Sequence, residues 1–560
     1  MEKKRWGHRV LRKLLNYIPH SCLTITSSWL WLRYYPAITP ATQCFTLWNQ
    51  AADDCPDYQQ WVDQHSLQTL NDWRLLQQKA YHWQSPPKIS IVTPVHNTQP
   101  EVLYECIISV RAQAYPYWQL ILVDDGSSNL ATHNLLNSAV CKDPRIKVCF
   151  CRQSQGISKA TNLAIEKSTG DYVVFLDHDD RLSLDALFLI AEQIQRQPDV
   201  DIVYSDRDMI SQKGQRYMHL FKPGWSPETL LSGNYIFHLM CYRRSLLNQL
   251  QGYRSELDGS QDYDLILRAI ETQPQVRHIQ KVLYHWRQYQ GSVSLDSGAK
   301  DYAFKAGVFA LNQALQRRGI AGAASEIKSL WRGNYQLDLV GPELNEIEVI
   351  TLDAATANNT YTDSINQALQ QAETETPYIA LISEALTPVT DNALCHLAAW
   401  LKMDSVGLAS GSIITDDSVI DYVGATYKKD AELLLPYQGH SIGEVGYMAI
   451  TRLVRNISVP HPYCVLIRRD LWKQLNGLNS NYQGYYALLD FALRALAINW
   501  RCVSVPQAQF INTGHDVLAH YPEQDKQLFF QQWQGWLEQG DPYYNKNLNR
   551  ESQDKLYYLA

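Results

Sequence analysis

The chain has 560 residues, which is too long for one ordinary domain, so about two to four domains are expected. Hydrophobic residues make up 45% of the chain, which is enough for sizeable cores and excludes an intrinsically disordered protein. The formal net charge of -7 gives no overall basic footprint, so nucleic acid is not expected as a partner.

The eleven cysteines are scattered along the chain and form no CxxC motif. This usage predicts a reducing, cytoplasmic setting, without a disulfide framework or a zinc site. No segment reaches the roughly 18 uninterrupted apolar residues that a membrane-spanning helix needs.

Residues 1–85 have mostly helical patterns and are rich in tryptophan. At their start, MEKKRWGHRVLRKLLNYIPH combines several basic side chains with one acid, Glu2, and apolar residues recur at helical spacing. A basic amphipathic helix is typical of contact with an anionic membrane surface, so the sequence predicts peripheral attachment to the inner face of the cell membrane. A solvated helix that packs on the rest of the chain is the alternative.

Strand and helix patterns alternate after a break at the SPP segment, residues 85–87. Helical periodicity separates the apolar runs KISIVTPV, QLILVDD, RIKVCF, DYVVFLD and VDIVYSD. Such alternation predicts an α/β fold of the Rossmann type, with a mostly parallel sheet and helices on both faces.

Three of the predicted strands end in acidic residues. They end at Asp124 and Asp125, at the DHDD run of residues 177–180, and at Asp206. In a parallel sheet these ends meet at the edge where open α/β sheets bind their ligands. Carboxylates gathered there repel one another, and a hard cation such as Mg²⁺ or Mn²⁺ would relieve the repulsion. For a single acidic strand end, a turn with a helix N-cap is the alternative.

The usual glycine-rich phosphate loops do not follow the first strand, where TPVHNTQP stands in place of GxGxxG or GxxxxGK[ST]. This disfavours a dinucleotide-binding Rossmann domain and a P-loop NTPase. It predicts that any bound phosphates are held by a metal ion rather than by a glycine cradle.

Four motifs occur in order between about Lys88 and Ser294: ISIVTPVHN, LILVDDGSS, GISKATNLAIEKSTGDYVVFLDHDD and GSQDYDLILRA. Together they resemble glycosyltransferase family 2, the inverting transferases with a GT-A fold. YSDRD, FKPGWSPETLLSGNYI and VLYHWRQYQGSVS further resemble the bacterial branch that builds O-antigen and other surface polysaccharides. The resemblance implies transfer of a sugar from a nucleoside diphosphate sugar to a hydroxyl of a growing, lipid-linked glycan.

The resemblance also implies a metal site and a catalytic base. The DHD segment matches the family's DxD motif, so Asp179 would bind the divalent metal, Mn²⁺ or Mg²⁺, and Asp177 would contact the ribose or the metal shell. His285 matches a family histidine that approaches the metal or the diphosphate. Asp262 matches the catalytic base, which suits an acceptor hydroxyl because that hydroxyl is a poor nucleophile. The alternative for Asp262 is a helix N-terminal acid that complements the dipole.

Further positions match residues that line the donor nucleotide in the family. Thr93, Val95 and either Asp124 or Asp125 match positions around the base and ribose. Lys159 stands where the family usually has arginine, also near the nucleotide. This substitution keeps the charge but loses the planar bidentate fork, which puts the expected donor contacts in doubt.

The second half of the chain contains an echo of the first. The segment from Asn162 to the DHDD run resembles NQALQQAETETPYIALISEAL from Asn366, and QDYDLILRA resembles LLDFALRA. Three acids of the first copy are lost in the second, since Asp177, Asp179 and Asp262 fall on Ser383, Ala385 and Leu488, whereas His178 falls on Glu384. Chance similarity of short apolar segments is the alternative.

Two residues of the first copy keep their counterparts, since Asp264 matches Asp490 and Arg268 matches Arg494. Asp262 and Asp264 are two positions apart on a predicted helix and face different ways, so one can point at the acceptor while the other holds structure. The second copy is therefore predicted to be a degenerate GT-A-like domain that has kept its core and lost its chemistry.

These patterns predict four regions. A helical region spans 1–85, a catalytic GT-A domain 86–325, a second, degenerate GT-A-like domain 345–520, and a C-terminal tail with DPYYNKNL 521–560. Two other functions remain open. A nucleotidyltransferase should carry a glycine- and basic-rich loop after the first strand, which is missing here. A non-catalytic scaffold that binds nucleotide sugar or glycan is the second alternative.

Overall fold

The computed structural model describes residues 48–288, 301–352, 357–371, 375–514 and 522–560. The predicted basic amphipathic helix lies outside the described residues. Two helices, α1 (Pro56–His65) and α2 (Leu70–Tyr81), precede the first strand, in agreement with the helical pattern of that part of the chain. None of the helices in these ranges combines the length and the apolar character that crossing a bilayer requires.

A first α/β unit is built on a nine-stranded sheet. Its strands are β1 (Ile89–Val95), β2 (Trp118–Asp124), β3 (Ile146–Phe150), β4 (Tyr172–Phe175), β5 (Arg181–Leu182), β6 (Ile202–Ile210), β7 (Arg216–Leu220), β8 (Met240–Arg243) and β9 (Val276–Arg287). Its helices are α3 (Pro100–Arg111), α4 (Leu130–Leu136), α5 (Ile157–Lys167), α6 (Ala186–Arg196), α7 (Pro227–Leu230), α8 (Arg244–Leu250), α9 (Gln261–Ile270) and α10 (Asp301–Arg317).

The strand order of this sheet is β3-β2-β1-β4-β8-β6-β9-β5, with β7 paired to β6. Strands β1 to β4 are parallel, and β6 pairs with β9 in parallel. Strand β8 runs antiparallel between β4 and β6. The prediction of a mostly parallel sheet is therefore confirmed.

Helices cover both faces of the first sheet, which is why its central strands are continuous apolar runs. On β1, Ile91 belongs to a core that includes Leu103 of α3 and Ile190 of α6. Its neighbour Val92 points to the opposite core, with Ala160 of α5. All of these side chains are almost completely buried.

A second unit follows a hairpin of β10 (Gly322–Glu326) and β11 (Tyr335–Leu339). Its strands are β12 (Ile347–Leu352), β13 (Tyr378–Ser383), β14 (Leu386–Pro388), β15 (Val406–Thr415), β16 (Ile420–Tyr422), β17 (Thr426–Tyr427), β18 (Leu433–Leu434), β19 (Arg455–Ile457), β20 (Cys464–Arg468) and β21 (Arg501–Asn512). Its helices are α11 (Ala357–Gln371), α12 (Ala393–Trp400), α13 (Arg469–Gln474), α14 (Tyr486–Ala497) and α15 (Glu523–Gln539).

The main sheet of the second unit has the order β12-β13-β20-β15-β21-β14, which repeats β1-β4-β8-β6-β9-β5 of the first. The directions also agree, because the β12–β13 and β15–β21 pairs are parallel and β20 is antiparallel to both neighbours. Strand β16 pairs with β15 as β7 pairs with β6. The sequence echo thus corresponds to a repeated strand topology, with no counterpart of β2 and β3 among the described residues.

Two hydrogen-bonded ties recur in both units. Arg268 donates to Asp264 (2.9 Å) and to two backbone carbonyls that precede α9. Arg494 donates to Asp490 (2.7 Å) and to two carbonyls at the corresponding place before α14. The predicted pairing of these residues therefore has the same geometry in both copies, and it anchors a helix to the preceding turn.

The second tie involves α5 in the first unit and α11 in the second, the helices that precede β4 and β13. The amide of Asn162 donates to the carbonyl of Tyr253 (2.8 Å) and accepts from its N–H (2.8 Å). Asn366 makes the same pair of bonds with Leu478 (3.1 and 3.3 Å). The two copies therefore share long-range contacts as well as an apolar pattern.

One predicted strand end is wrong. Strand β6 does not end at Asp206 but continues to Ile210, because irregularities in the register around Asp206 let the strand bend and carry on. Asp206 is therefore inside the sheet and completely buried. It accepts hydrogen bonds from His278 Nε2 (2.8 Å) and from the N–H of Lys222 (2.9 Å).

We predict that Asp490→Ala destabilises the second unit by about 3 kcal/mol, because it breaks a buried ion pair. Asp490 is completely buried and also accepts from Gln532 and Trp533. Urea unfolding followed by tryptophan fluorescence measures the change. Asp470→Ala is the control: its pair with Arg468 is exposed and should contribute less than about 1 kcal/mol. Equal effects of the two variants would contradict the prediction.

Candidate active site

The carboxyl ends of β1, β2 and β4 lie side by side, as predicted for a parallel sheet. Val95 is the register partner of Asp124, and the N–H of Asp125 donates to the Val95 carbonyl (2.8 Å). Strand β4, next to β1 on the other side, leads directly into the DHDD run. The structure therefore brings the acidic ends of β2 and β4 to the edge where ligands of such sheets bind.

Asp124 and Asp125 differ in their hydrogen bonding. Asp125 uses both oxygens to hold the loop before α5: it accepts from Ser154 Oγ (2.7 Å) and from the N–H groups of Gln155 (2.8 Å) and Gly156 (3.0 Å). Asp124 is completely buried, and its Oδ2 has no hydrogen-bond partner among the described residues. His133 Nε2 lies 3.4 Å from this oxygen without hydrogen-bond geometry, so of the two residues Asp124 is the one whose carboxylate can still accept a hydrogen bond from a ligand.

The other predicted nucleotide-binding residues lie around the same strand end. Thr93 is completely buried, and its Oγ1 lacks a hydrogen-bond partner within the described ranges. Val95 is also buried. Lys159 is exposed in the first turn of α5, which begins after the loop held by Asp125.

The DHDD run forms a turn between β4 and β5. Asp180 is completely buried and accepts from the Tyr284 hydroxyl (2.5 Å) and from the N–H of Arg287 (2.7 Å). Burial, followed by the charges of Asp179 and Asp177, raises the pKa of Asp180 well above its usual range. The environment of this turn therefore disfavours the charged form of Asp180.

Asp177, Asp180 and His238 form a group whose ligand atoms all lie within 4.8 Å of one another. Asp177 Oδ2 is 3.8 Å from His238 Nε2 and its side chain is 42% exposed, so the group is open to solvent on one side. Two carboxylates and an imidazole suit a divalent cation such as Mn²⁺, and a cation there would relieve the repulsion that raises the pKa of Asp180. These residues therefore fit a metal ion.

Asp179 and His285, which the sequence suggested as metal ligands, lie outside this group. His285 is buried, and its Nδ1 contacts Asp208 Oδ1 (2.6 Å). Asp208 in turn accepts from Arg216 (2.6 Å) and from the Tyr58 hydroxyl of α1 (2.6 Å). The contact with Asp208 places His285 in a structural network, and metal ligation by Asp179 and His285 stays a prediction.

Asp262 lies in the first turn of α9, as predicted. It accepts hydrogen bonds from the N–H of Tyr263 (2.8 Å) and from Asn234 Nδ2 (3.0 Å). Burial raises the pKa of Asp262, and these hydrogen bonds oppose part of the rise. A carboxylate whose pKa is raised is a better proton acceptor, as a general base requires.

Asp264 plays the structural part that its spacing from Asp262 predicted. It is completely buried and bonded to both Arg254 and Arg268. Burial, and then the charges of Asp262, Tyr242 and Asp177, raise the pKa of Tyr253. The Tyr253 ring stacks on Phe175 at the end of β4, with 5.2 Å between centroids.

Sequence reasoning missed three residues of this site. Asp180 belonged to the DHDD run but was not separated from its neighbours. His238 and Arg207 are brought in by β8 and β6; Arg207 lies in the YSDRD motif but was given no role there, and His238 lies in none of the motifs. The Arg207 guanidinium lies over the rings of Phe237 (5.0 Å) and Trp286 (4.7 Å), and its Nε has no hydrogen-bond partner among the described residues. Burial lowers the pKa of Arg207 to about 10.

Comparison with known proteins gives a family and several relatives. Residues 90–251 match the model of the family described as glycosyl transferase family 2. The uncharacterized protein y4gI of Sinorhizobium fredii is 30% identical over 541 residues, which cover 84% of this chain and 58% of that protein. The O-antigen biosynthesis protein RfbC of Myxococcus xanthus is 28% identical over 521 residues, covering 84% of this chain and 41% of that protein. The chain thus spans only about half the length of these two relatives.

A shorter match is to the chondroitin synthase of Escherichia coli, 26% identical over 237 residues, with 42% of this chain and 33% of that protein covered. Among solved structures, S. aureus TarS 1–349 in complex with UDP-GlcNAc is 19% identical, with a TM-score of 0.34. That comparison covers 41% of this chain and 66% of the TarS chain. The TM-score is too low for an inference from this structure.

We predict that Asp125→Ala frees the loop before α5, because three hydrogen bonds to a carboxylate are lost at once. Amide hydrogen exchange of peptides that cover residues 152–158 should become faster by at least about tenfold, which corresponds to one charge-assisted hydrogen bond. Asp124→Asn is the matched control, since among the described residues the Asp124 side chain makes no hydrogen bond to this loop. Unchanged exchange in Asp125→Ala would contradict the prediction.

Proposed function

The chain contains a glycosyltransferase family 2 domain at residues 90–251, and from this premise we propose that it transfers a sugar from a nucleoside diphosphate sugar to a hydroxyl group of a growing glycan, with inversion. The observation that carries the proposal is the convergence of acids from three elements. Asp124 ends β2, Asp177 and Asp180 follow β4, and Asp262 begins α9.

The donor nucleoside lies, in this proposal, at the ends of β1 and β2. Asp124 Oδ2 and Thr93 Oγ1 are buried polar atoms that lack a hydrogen-bond partner within the described ranges, and a bound base or ribose would supply one. Lys159 on the first turn of α5 provides a positive charge near the same edge. Asp125 acts here by shaping the loop rather than by binding the nucleotide.

The diphosphate lies, in this proposal, beside Asp177, Asp180 and His238. A divalent cation held by these three residues would neutralise the negative charge that develops on the leaving diphosphate. Arg207 contributes a fixed positive charge from a nearby strand, and its contacts with two aromatic rings keep it in place.

Asp262 is the proposed general base. It removes the proton from the acceptor hydroxyl as that oxygen attacks the anomeric carbon from the face opposite the leaving diphosphate, which inverts the configuration. Asn234 orients the carboxylate by its hydrogen bond. The second unit lacks acids at the corresponding positions, so we assign the reaction to the first unit alone.

The acceptor is proposed to be a glycan of a cell-surface polysaccharide. The names of two relatives support this class, since one is an O-antigen biosynthesis protein and another is a chondroitin synthase. A lipid-linked acceptor, a cytoplasmic location and peripheral contact with the membrane follow from the same interpretation.

The proposal is tested with purified protein, Mn²⁺ or Mg²⁺ and a panel of nucleotide sugars, with released nucleoside diphosphate as the readout. We expect release from one donor, and we expect its loss on chelation and in Asp177→Ala. Asp262→Asn should lower the rate of transfer to an added acceptor by about 10² to 10⁴, the usual contribution of a positioned base. Asp199→Ala, an exposed acid of the same unit, serves as the control.

Two outcomes of this screen would contradict the proposal in different ways. Hydrolysis without an acceptor is slow in some transferases, so nucleotide binding is measured beside it by thermal shift. If the protein shows no release of nucleoside diphosphate and no Mn²⁺-dependent nucleotide binding, the result favours the non-catalytic scaffold. If the protein binds nucleotide but releases no nucleoside diphosphate from any donor, even with an acceptor present, it is a nucleotide-sugar-binding protein and not a transferase.

The pH dependence tests the role of Asp262 directly. The base must be ionised to accept a proton, so kcat/KM falls as the pH drops through the pKa of Asp262, and this limb lies above the usual range of an aspartate because burial raises the pKa. Asn234→Ala removes a donor that stabilises the charged form, which should move the acidic limb to higher pH. Steady-state rates across the pH range measure this shift.

Asn248→Ala, on the exposed face of α8, is the matched control and should leave the profile in place. An acidic limb that stays in place in Asn234→Ala, or that persists in Asp262→Asn, would contradict the assignment.

A further inference from the structure

Lys222 is completely buried, and within the described residues its ammonium donates to backbone carbonyls alone. Nζ donates to the carbonyl oxygens of Ser205 (2.6 Å), Ile236 (3.1 Å), Phe237 (2.9 Å) and His238 (2.6 Å). Three of these four carbonyls belong to consecutive residues just before β8. One side chain therefore holds the whole of this short segment.

The held segment carries the histidine of the candidate metal group. His238 has a backbone φ of 48°, a left-handed conformation that residues other than glycine rarely adopt and that costs free energy. In this conformation its ring stacks on Tyr284, with 4.6 Å between centroids, and Nε2 lies 3.8 Å from Asp177. The bonds from Lys222 stabilise a backbone that would otherwise relax and move the ring.

Lys222 is itself held by a residue more than 300 positions away in the chain. Asn545 Nδ2 donates to the Lys222 carbonyl (2.9 Å) and to both oxygens of Asp206 (3.1 and 3.0 Å). Asp206 accepts in turn from the Lys222 N–H (2.9 Å). Asn545 is 1% exposed and Asp206 is 0% exposed, so neither can exchange these bonds for bonds to water.

The segment that carries Asn545, residues 541–560, is seated on the first unit by further contacts. Asn547 Nδ2 donates to the carbonyl of Gln280 in β9 (3.2 Å). Tyr544 and Leu548 belong to an apolar cluster with Phe221, the residue before Lys222. The DPYYNKNL motif thus lies against the strands that support the candidate site, although it follows the second unit in sequence.

We propose that the 541–560 segment is a positioning element of the candidate active site, in which Asn545 fixes Asp206 and Lys222, and Lys222 fixes His238 against Asp177. This inference rests on the proposed function insofar as the His238 group binds a metal ion. Partners behind metal ligands typically change metal affinity by 10- to 100-fold when they are removed, which is the size of effect expected here.

The test uses the full chain and two readouts. Mn²⁺ binding is followed by the electron paramagnetic resonance signal of free Mn²⁺, and amide exchange is measured in peptides that cover residues 236–240. We expect Asn545→Ala to weaken Mn²⁺ binding about tenfold and Lys222→Met up to about 100-fold, with faster exchange of the 236–240 segment in both variants.

Two controls separate positioning from general loss of stability. Asn549→Ala changes the same residue type in the same segment, but the Asn549 side chain accepts only from the N–H of Glu551 (3.0 Å), so both readouts should stay unchanged. Asp490→Ala destabilises the second unit without touching the network and should also leave Mn²⁺ affinity unchanged. Asn545→Ser replaces Asn545→Ala if the alanine variant does not fold.

The outcomes are distinguishable. Wild-type protein that binds no Mn²⁺ would contradict the metal part of the proposed function, and exchange of the 236–240 segment would still decide the positioning role. Folded Asn545 variants with wild-type exchange in that segment would overturn the inference. So would a loss of Mn²⁺ affinity in Asp490→Ala as large as that in Asn545→Ala, because the effect would then follow stability alone.

Discussion

Negative charge gathered at one end of a parallel sheet is the constraint on which the candidate site depends. Parallel pairing of β1 with β2 and β4 brings the acidic strand ends together, and burial makes their mutual repulsion costly. The protein resolves this in two ways. Asp125 and Asp264 are satisfied by local donors and hold structure, whereas Asp124 keeps an oxygen without a hydrogen-bond partner among the described residues, and burial with the charges of Asp179 and Asp177 raises the pKa of Asp180. Buried carboxylates in such environments are typical of ligand sites.

Comparison of the two units distinguishes carboxylates that hold structure from those proposed to take part in the reaction. The second unit keeps Asp490 with Arg494, as the first keeps Asp264 with Arg268, because each pair anchors a helix whatever the unit does. It does not keep the acids after β4 or the acid that begins α9. A buried acid without a partner or a ligand lowers stability, whereas loss of the paired acid leaves a partly buried arginine without its carboxylate.

The sequence predicted those features that depend on local patterns. Apolar runs gave the strands, the acids after β2 and β4 gave the edge, and the echo around Asn366 gave the second copy. Asp206 was misplaced because a register irregularity inside β6 leaves no trace in the pattern of apolar residues. His238 was missed because it reaches Asp177 only through the antiparallel placement of β8. Likewise, the choice between Asp124 and Asp125 needed the loop geometry that the structure provides.

Long-range support explains why a tail after the second unit can matter to the first. Residues 236–238 precede β8 and take no part in its strand pairing, and the left-handed backbone at His238 needs compensation. Lys222 supplies it with an ammonium whose burial is tolerated only because four carbonyls surround it. The backbone around Lys222 must therefore stay in place, and Asn545, near the end of the chain, holds it by donating to the Lys222 carbonyl. The second unit lies between Lys222 and Asn545 in sequence, and in this proposal it brings the 541–560 segment back against the first unit.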